Sequence, residues 1–134
     1  DAFLTSSGSA DSCLAESIKR GNRYKEAGAD CIFVPCVSDV KSISALVKEI
    51  AAPVNILANP TNGVTLPPTI KELEELGVAR LSVGSSLMKS TLALIKRVAD
   101  ETIQAGTYEN LLRALTPIEE SVKAYNMATD NPVN

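Results

Sequence analysis

Ala79-Arg80-Leu81-Ser82-Val83-Gly84-Ser85-Ser86 is the stretch that decides how this chain folds. Its first half alternates small or apolar residues with Arg80 and Ser82, as a short buried strand does. Gly84 then lets the backbone turn sharply into a helix with Ser85 or Ser86 as its cap. An apolar-periodic run from Leu87 to Val98 follows at once. Free N–H groups in the first helical turn, a dipole worth roughly half a positive charge and Lys89 one turn in would hold a carboxylate or phosphate. The same residues serve equally as a plain turn, because most capped helices bind nothing.

Working upstream, Leu76-Gly77-Val78-Ala79 leads into this strand as Ala27-Gly28-Ala29-Asp30 leads into Cys31-Ile32-Phe33-Val34. Each is a glycine helix stop running straight into an apolar segment. Cys31 to Val34, bounded by Pro35, has the pattern of a strand buried on both faces, and Val54 to Ala58 reads as a second short strand. Helices fill the intervals. Asp11 or Ser12 caps one whose apolar positions are Leu14, Ile18 and Tyr24. Ser38-Asp39 caps a second, with Ile43, Leu46, Val47 and Ile50 on one face. A third, from about Thr69 to Leu76, turns Ile70, Leu73 and Leu76 inward. Asn59-Pro60-Thr61-Asn62-Gly63 is a turn by composition, with loop continuing to Pro67-Pro68.

Helices alternating with strands through short connections imply parallel strands with right-handed crossovers. Three full strands and a stub at Asp1-Ala2-Phe3-Leu4 cannot close a barrel of eight. The chain is therefore a small open sheet or the carboxyl-terminal part of a larger (β/α)8 barrel. An opening with no Met, followed by a Ser/Gly loop from Thr5 to Ser9, reads as cut from something longer. Beyond the long helix, Gly106-Thr107 breaks the pattern, Tyr108 to Leu115 resumes it, and Thr116-Pro117 starts a last amphipathic helix carrying Ile118, Val122 and Tyr125. The tail from Thr129 is expected to fray. The expected division is 1–105, a partial barrel with its eighth helix, and 106–134, a helical extension.

Bulk composition narrows the function. Of 134 residues 45% are hydrophobic and 22% charged, with a net charge of -3, and no basic block is interleaved with aromatics, so neither nucleic acid nor an anionic membrane is indicated as a partner. No apolar run approaches the ~20 residues that span a bilayer, and the reading is of a soluble, cytoplasmic protein. Histidine is absent, which removes Ser-His-Asp, Cys-His and His-metal sites from this chain. Cys13, Cys31 and Cys36 lack metal-ligand spacing and fit reduced thiols. Cys36 has no neighbouring His to make it a nucleophile and reads as a packing or pocket-wall residue.

Three stretches together resemble the isocitrate lyase and phosphoenolpyruvate mutase superfamily. They are Asp1-Ala2, then Glu26-Ala27-Gly28-Ala29-Asp30-Cys31-Ile32-Phe33-Val34, then Leu76-Gly77-Val78-Ala79-Arg80-Leu81-Ser82-Val83-Gly84. The likeness is strongest to the shorter bacterial-type members, which include 2-methylisocitrate lyase-like and oxaloacetate decarboxylase-like enzymes. It implies an α/β fold, a (β/α)8 barrel of which these are strands six to eight, with ligands at the carboxyl ends of the strands. It further implies Mg2+ and a small α-oxyacid substrate whose C–C or P–C bond is cleaved through a pyruvate enolate. The family's metal-binding carboxylates and gating loop would lie upstream of Asp1, so this segment alone is expected to be inert.

Carried over position by position, the resemblance makes Asn59, Pro60 and Thr61 a substrate-contacting group, where amide and hydroxyl can bind carboxylate oxygens without adding charge. An Asx turn ahead of Pro60 is the plainer alternative. Lys89 stands where the lyases carry an Arg, keeping the charge but losing the bidentate fork. It reads otherwise as a solvated helix lysine. Pro35, Cys36 and Gly84 become pocket wall. Val34-Pro35-Cys36 replaces the Glu that the tricarboxylate lyases offer there, which favours a smaller substrate such as oxaloacetate or a phosphonate. Leu87, Leu92, Leu94, Ile95 and Val98 give the long helix more apolar face than a surface helix needs. The resemblance implies that this eighth helix packs against a neighbouring subunit's barrel, in a homodimer or homotetramer, and burial within its own chain is the alternative. The alternative from another class is a non-catalytic, barrel-derived oligomerisation module.

Overall fold

Alternation of helix and strand is what the structure shows, and the strands run parallel. The computed structural model describes residues 2–5, 8–58 and 68–130. The chain falls into two compact units, Asp1–Met88 and Lys89–Asn134. The first contains α1 (Ala2–Thr5), α2 (Ala10–Glu26), β1 (Ile32–Val34), α3 (Val40–Glu49), β2 (Val54–Leu57), α4 (Ile70–Glu75) and β3 (Arg80–Ser82). The second holds most of α5 (Ser86–Gln104), then α6 (Glu109–Ala114) and α7 (Ile118–Asp130).

The sheet order is β1-β2-β3. Ile32 stands beside Val54 and Val34 beside Ile56, while Asn55 stands beside Arg80 and Leu57 beside Ser82. Because alternate residues face opposite ways, Ile32, Val34, Val54 and Ile56 enter the core, with Ile43, Leu46, Ile50 and Leu73 from the helices. Ile43, Leu46 and Ile56 are fully buried, and each such side chain stabilises the fold by about 1.5–3 kcal/mol relative to exposure. Phe33 and Asn55 lie on the other face, and Phe33 is 49% exposed. β1 is therefore not buried on both faces as its apolar run suggested, whereas β2 is, with Asn55 5% exposed. β3 departs furthest, with Arg80 exposed and Leu81 and Ser82 half-buried.

Helix starts follow side-chain caps. Asp39 accepts from the Ser42 N–H at 2.8 Å, and Thr69 and Glu72 form a reciprocal capping box. The first long helix starts earlier than expected, because Ser9, not Asp11 or Ser12, accepts from the Ser12 N–H. Its buried residues are Cys13, Ser17 and Gly21, a stripe of small residues one turn apart that lets α2 approach the sheet closely. A Cβ on Gly21 would meet Ile50 Cδ1 at 2.8 Å. Leu14 and Ile18 pack at the edge of the core, but Tyr24 is exposed. Ile70 is exposed too, so α4 turns only Leu73 fully inward, with Leu76 half-buried. The expected strand stub at the start is the helical turn α1, whose four residues bond locally. Asn22 joins α2 to the end of α3, donating to the Glu49 carbonyl and accepting from the Ala51 N–H, both at 2.9 Å.

In the second unit, Gly106 with φ 67 marks the expected break. Tyr108 makes no side-chain cap for α6. Glu101 does that work from the preceding helix, accepting from the Glu109 and Asn110 N–H groups at 2.7 and 2.8 Å and from Thr107 Oγ1 at 2.6 Å. These bonds, led by that of Thr107, hold the Glu101 carboxyl down at about 2. α5 and α6 bury no residue. α7 continues to Asp130, past the point at which the tail was expected to fray. No helix among the described residues is long and apolar enough to cross a membrane.

Candidate functional site at the strand ends

Parallel strands put their carboxyl ends on one side of a sheet, and in α/β proteins ligands bind there. β1 ends at Val34 and passes into buried Pro35 and exposed Cys36. Cys36 has φ 64, the left-handed region that a side chain makes costly, so the chain turns hard at this point. β2 ends at Leu57, and the next N–H, that of Ala58, donates to the Ser82 carbonyl at 2.8 Å. β3 ends at Ser82, and Gly84 turns with φ 52 before the Ser86 N–H donates to the Val83 carbonyl at 3.0 Å. The strand–glycine–helix junction expected from the sequence is present.

Pro35, Cys36 and Gly84 thus follow the ends of β1 and β3 on the same side of the sheet. Asn59, Pro60 and Thr61 lie outside the described residues. Lys89 is on α5, in the second unit, and is exposed. One feature was missed in the sequence. Asn55, only 5% exposed, donates from Nδ2 to Ser82 Oγ at 3.1 Å, across from β2 to β3. An Asn inside the apolar run Val54 to Leu57 was the available signal, since a buried amide must find a partner. Among the described residues no three His, Cys, Asp or Glu come together as a cation would need. The described residues on their own therefore do not fit a divalent metal.

Residues 1–103 match the family model of phosphoenolpyruvate phosphomutase. The chain belongs to this family. Its membership places it in the wider phosphoenolpyruvate mutase/isocitrate lyase superfamily. Over 69 residues it is 46% identical to an uncharacterized protein of Mycobacterium tuberculosis, an alignment covering 52% of this chain and 24% of that one. Over 101 residues it is 27% identical to the 2-methylisocitrate lyase of Aeropyrum pernix, covering 75% and 32% respectively. A solved structure from Burkholderia cenocepacia, described as a proposed lyase/mutase, is similar with a TM-score of 0.69 and 30% identity, over 89% of this chain and 40% of that one. The chain thus spans a quarter to a third of the length of these curated relatives. What this family member shares with the solved structure is its fold, and two of the three relatives named are described as a lyase and a lyase/mutase.

Proposed function

We propose that this chain forms the last three strands, six to eight, of a (β/α)8 barrel enzyme of the lyase/mutase type. Its substrate is a small α-oxyacid, bound at the strand ends, and the bond cleaved is C–C or P–C. The observation that carries this reading is that β1, β2 and β3 are parallel and release their chain on the same side of the sheet, in a chain matched by the family over residues 1–103. Asn59, Pro60 and Thr61 are assigned the substrate contact, with amide and hydroxyl taking the carboxylate oxygens. Lys89 is assigned a charged contact to the acid. Pro35, Cys36 and Gly84 are assigned the wall.

The absence of a carboxylate at Val34-Pro35-Cys36 leaves that part of the wall uncharged, which suits oxaloacetate or a phosphonate better than a tricarboxylate. Mg2+ would stabilise the enolate charge when bound, and its ligands are assigned to barrel strands that these residues do not supply. The proposed setting is the cytoplasm. Assay of pyruvate release from oxaloacetate and from 2-methylisocitrate, with the chain joined to the strands that complete the barrel, tests this reading. Turnover that falls in Asn59→Ala and Lys89→Ala supports it, and a well-folded barrel with no turnover sinks it.

A second reading has its own observation. Leu87, Leu92 and Ile95 on α5 are 71%, 55% and 58% exposed, which is more apolar surface than a solitary helix face carries in water. A homodimer or homotetramer formed through this helix would cover it, whether or not the barrel is catalytic.

A further inference from the structure

Ser82 is tied to β2 at two points. Its carbonyl accepts from the Ala58 N–H at 2.8 Å, and its hydroxyl lies 3.1 Å from Asn55 Nδ2 and 3.4 Å from Asn55 Oδ1. The first bond is part of the ordinary ladder. The second is not, because side-chain to side-chain bonds are a small share of those in folded proteins. It is also diagonal. The strand partner of Ser82 is Leu57, and that of Asn55 is Arg80.

That diagonal adds to what the backbone ladder does. A one-residue slip of β3 along β2 would turn Leu81 out of the core and is disfavoured by burial. A two-residue slip keeps every side chain on its own face but cannot keep all three pairs of β2 with β3 within these short strands. It also breaks the Asn55–Ser82 pair, leaving a buried amide with no partner. The pair therefore locks, through side chains, the register that the ladder sets. Register decides how far β2 projects beside β3 at the strand ends.

We propose that Ser82 is a positioning residue. Through Asn55 and Ala58 it fixes the level at which β2 ends next to β3. The importance of that level rests on the strand-end reading of function given above, but the clamp itself does not.

Amide hydrogen exchange on the 134-residue chain tests it, comparing the unsubstituted protein with Ser82→Ala and Ser82→Thr. Ser82→Ala is expected to speed exchange at Ala58 by roughly five- to tenfold, the loss of about one hydrogen bond. Exchange at Ile43 and at Ile32, whose N–H donates to Pro53, stays unchanged. Ser82→Thr restores the hydroxyl and with it slow exchange at Ala58. An unchanged Ala58 in Ser82→Ala overturns the proposal. Equal acceleration at Ala58, Ile32 and Ile43 also overturns it, since the pair would then add only overall stability. Should Ser82→Ala fail to fold, Ser82→Cys keeps the shape with a far weaker bond and is read by the same criteria. No ligand enters the measurement, so a failed turnover assay counts against the α-oxyacid reading and not against the clamp.

Discussion

The two units are written in much the same amphipathic pattern and end in opposite states. In Asp1–Met88 the apolar residues close on one another, and Ile43, Leu46 and Ile56 lose all exposure. In Lys89–Asn134, Ile103, Ile118 and Tyr125 stay 83%, 79% and 71% exposed. A hydrophobic stripe states that a face must be covered, and does not state by what. α3 meets a sheet of its own chain. α5 has only the exposed face described above, and local polar bonds such as those of Glu101 keep its unit in shape.

The sharpest test of this contrast sets one leucine against another. Leu46→Ala is expected to cost about 2–5 kcal/mol in denaturant unfolding, whereas Leu92→Ala should stay within about 0.5 kcal/mol of the unsubstituted protein when measured as a monomer. Equal costs would end the comparison. Next in size, Leu92→Asp should convert a dimer or tetramer to monomers in light scattering, because it places a charge on the face to be covered. An assembly unmoved by Leu92→Asp would shift the contact away from α5. Asp39→Ala should cost about 1 kcal/mol through the lost cap of α3, read by thermal melting of the first unit.

The smallest effect belongs to Glu101. Its folded pKa, about 2, lies below the ordinary 4.5, so its contribution is whole above that ordinary value and fades as pH falls from about 4.5 towards 2. Helix content in Glu101→Gln, followed by circular dichroism over that range, should change less with pH than in the unsubstituted protein, the remainder coming from carboxylates such as Glu72. Identical titrations in the two would remove Glu101 as the cap of α6.

Much of the first unit could be read from its residues. The glycine stops at Gly28 and Gly77 have φ 101 and 85, and only a residue without a side chain takes such angles cheaply. Asp39 as a cap and the Ile43–Leu46–Ile50 face followed from the same local chemistry. Tyr24 and Ile70 did not, because helical spacing marks both edges of a stripe as apolar while packing reaches only its centre. Cys13, Ser17 and Gly21 were passed over for being small, although smallness is what brings α2 against Ile50 and Ile32. Of the candidate site, the turn at Gly84 was legible as a strand-to-helix junction. The Asn55–Ser82 bond was not, since it joins residues from different strands and no local pattern records it.

Each outer strand has one side that no described strand pairs with, and that fact bears on how the protein behaves at high concentration. Bare strand edges template the addition of like strands from other molecules. Arg80 places a charge along β3 that discourages such stacking. In the 134-residue chain on its own, Ile32-Phe33-Val34 offers no charge at all, with Phe33 half in water, so insoluble self-association is expected to begin along β1, and Phe33→Lys should delay it.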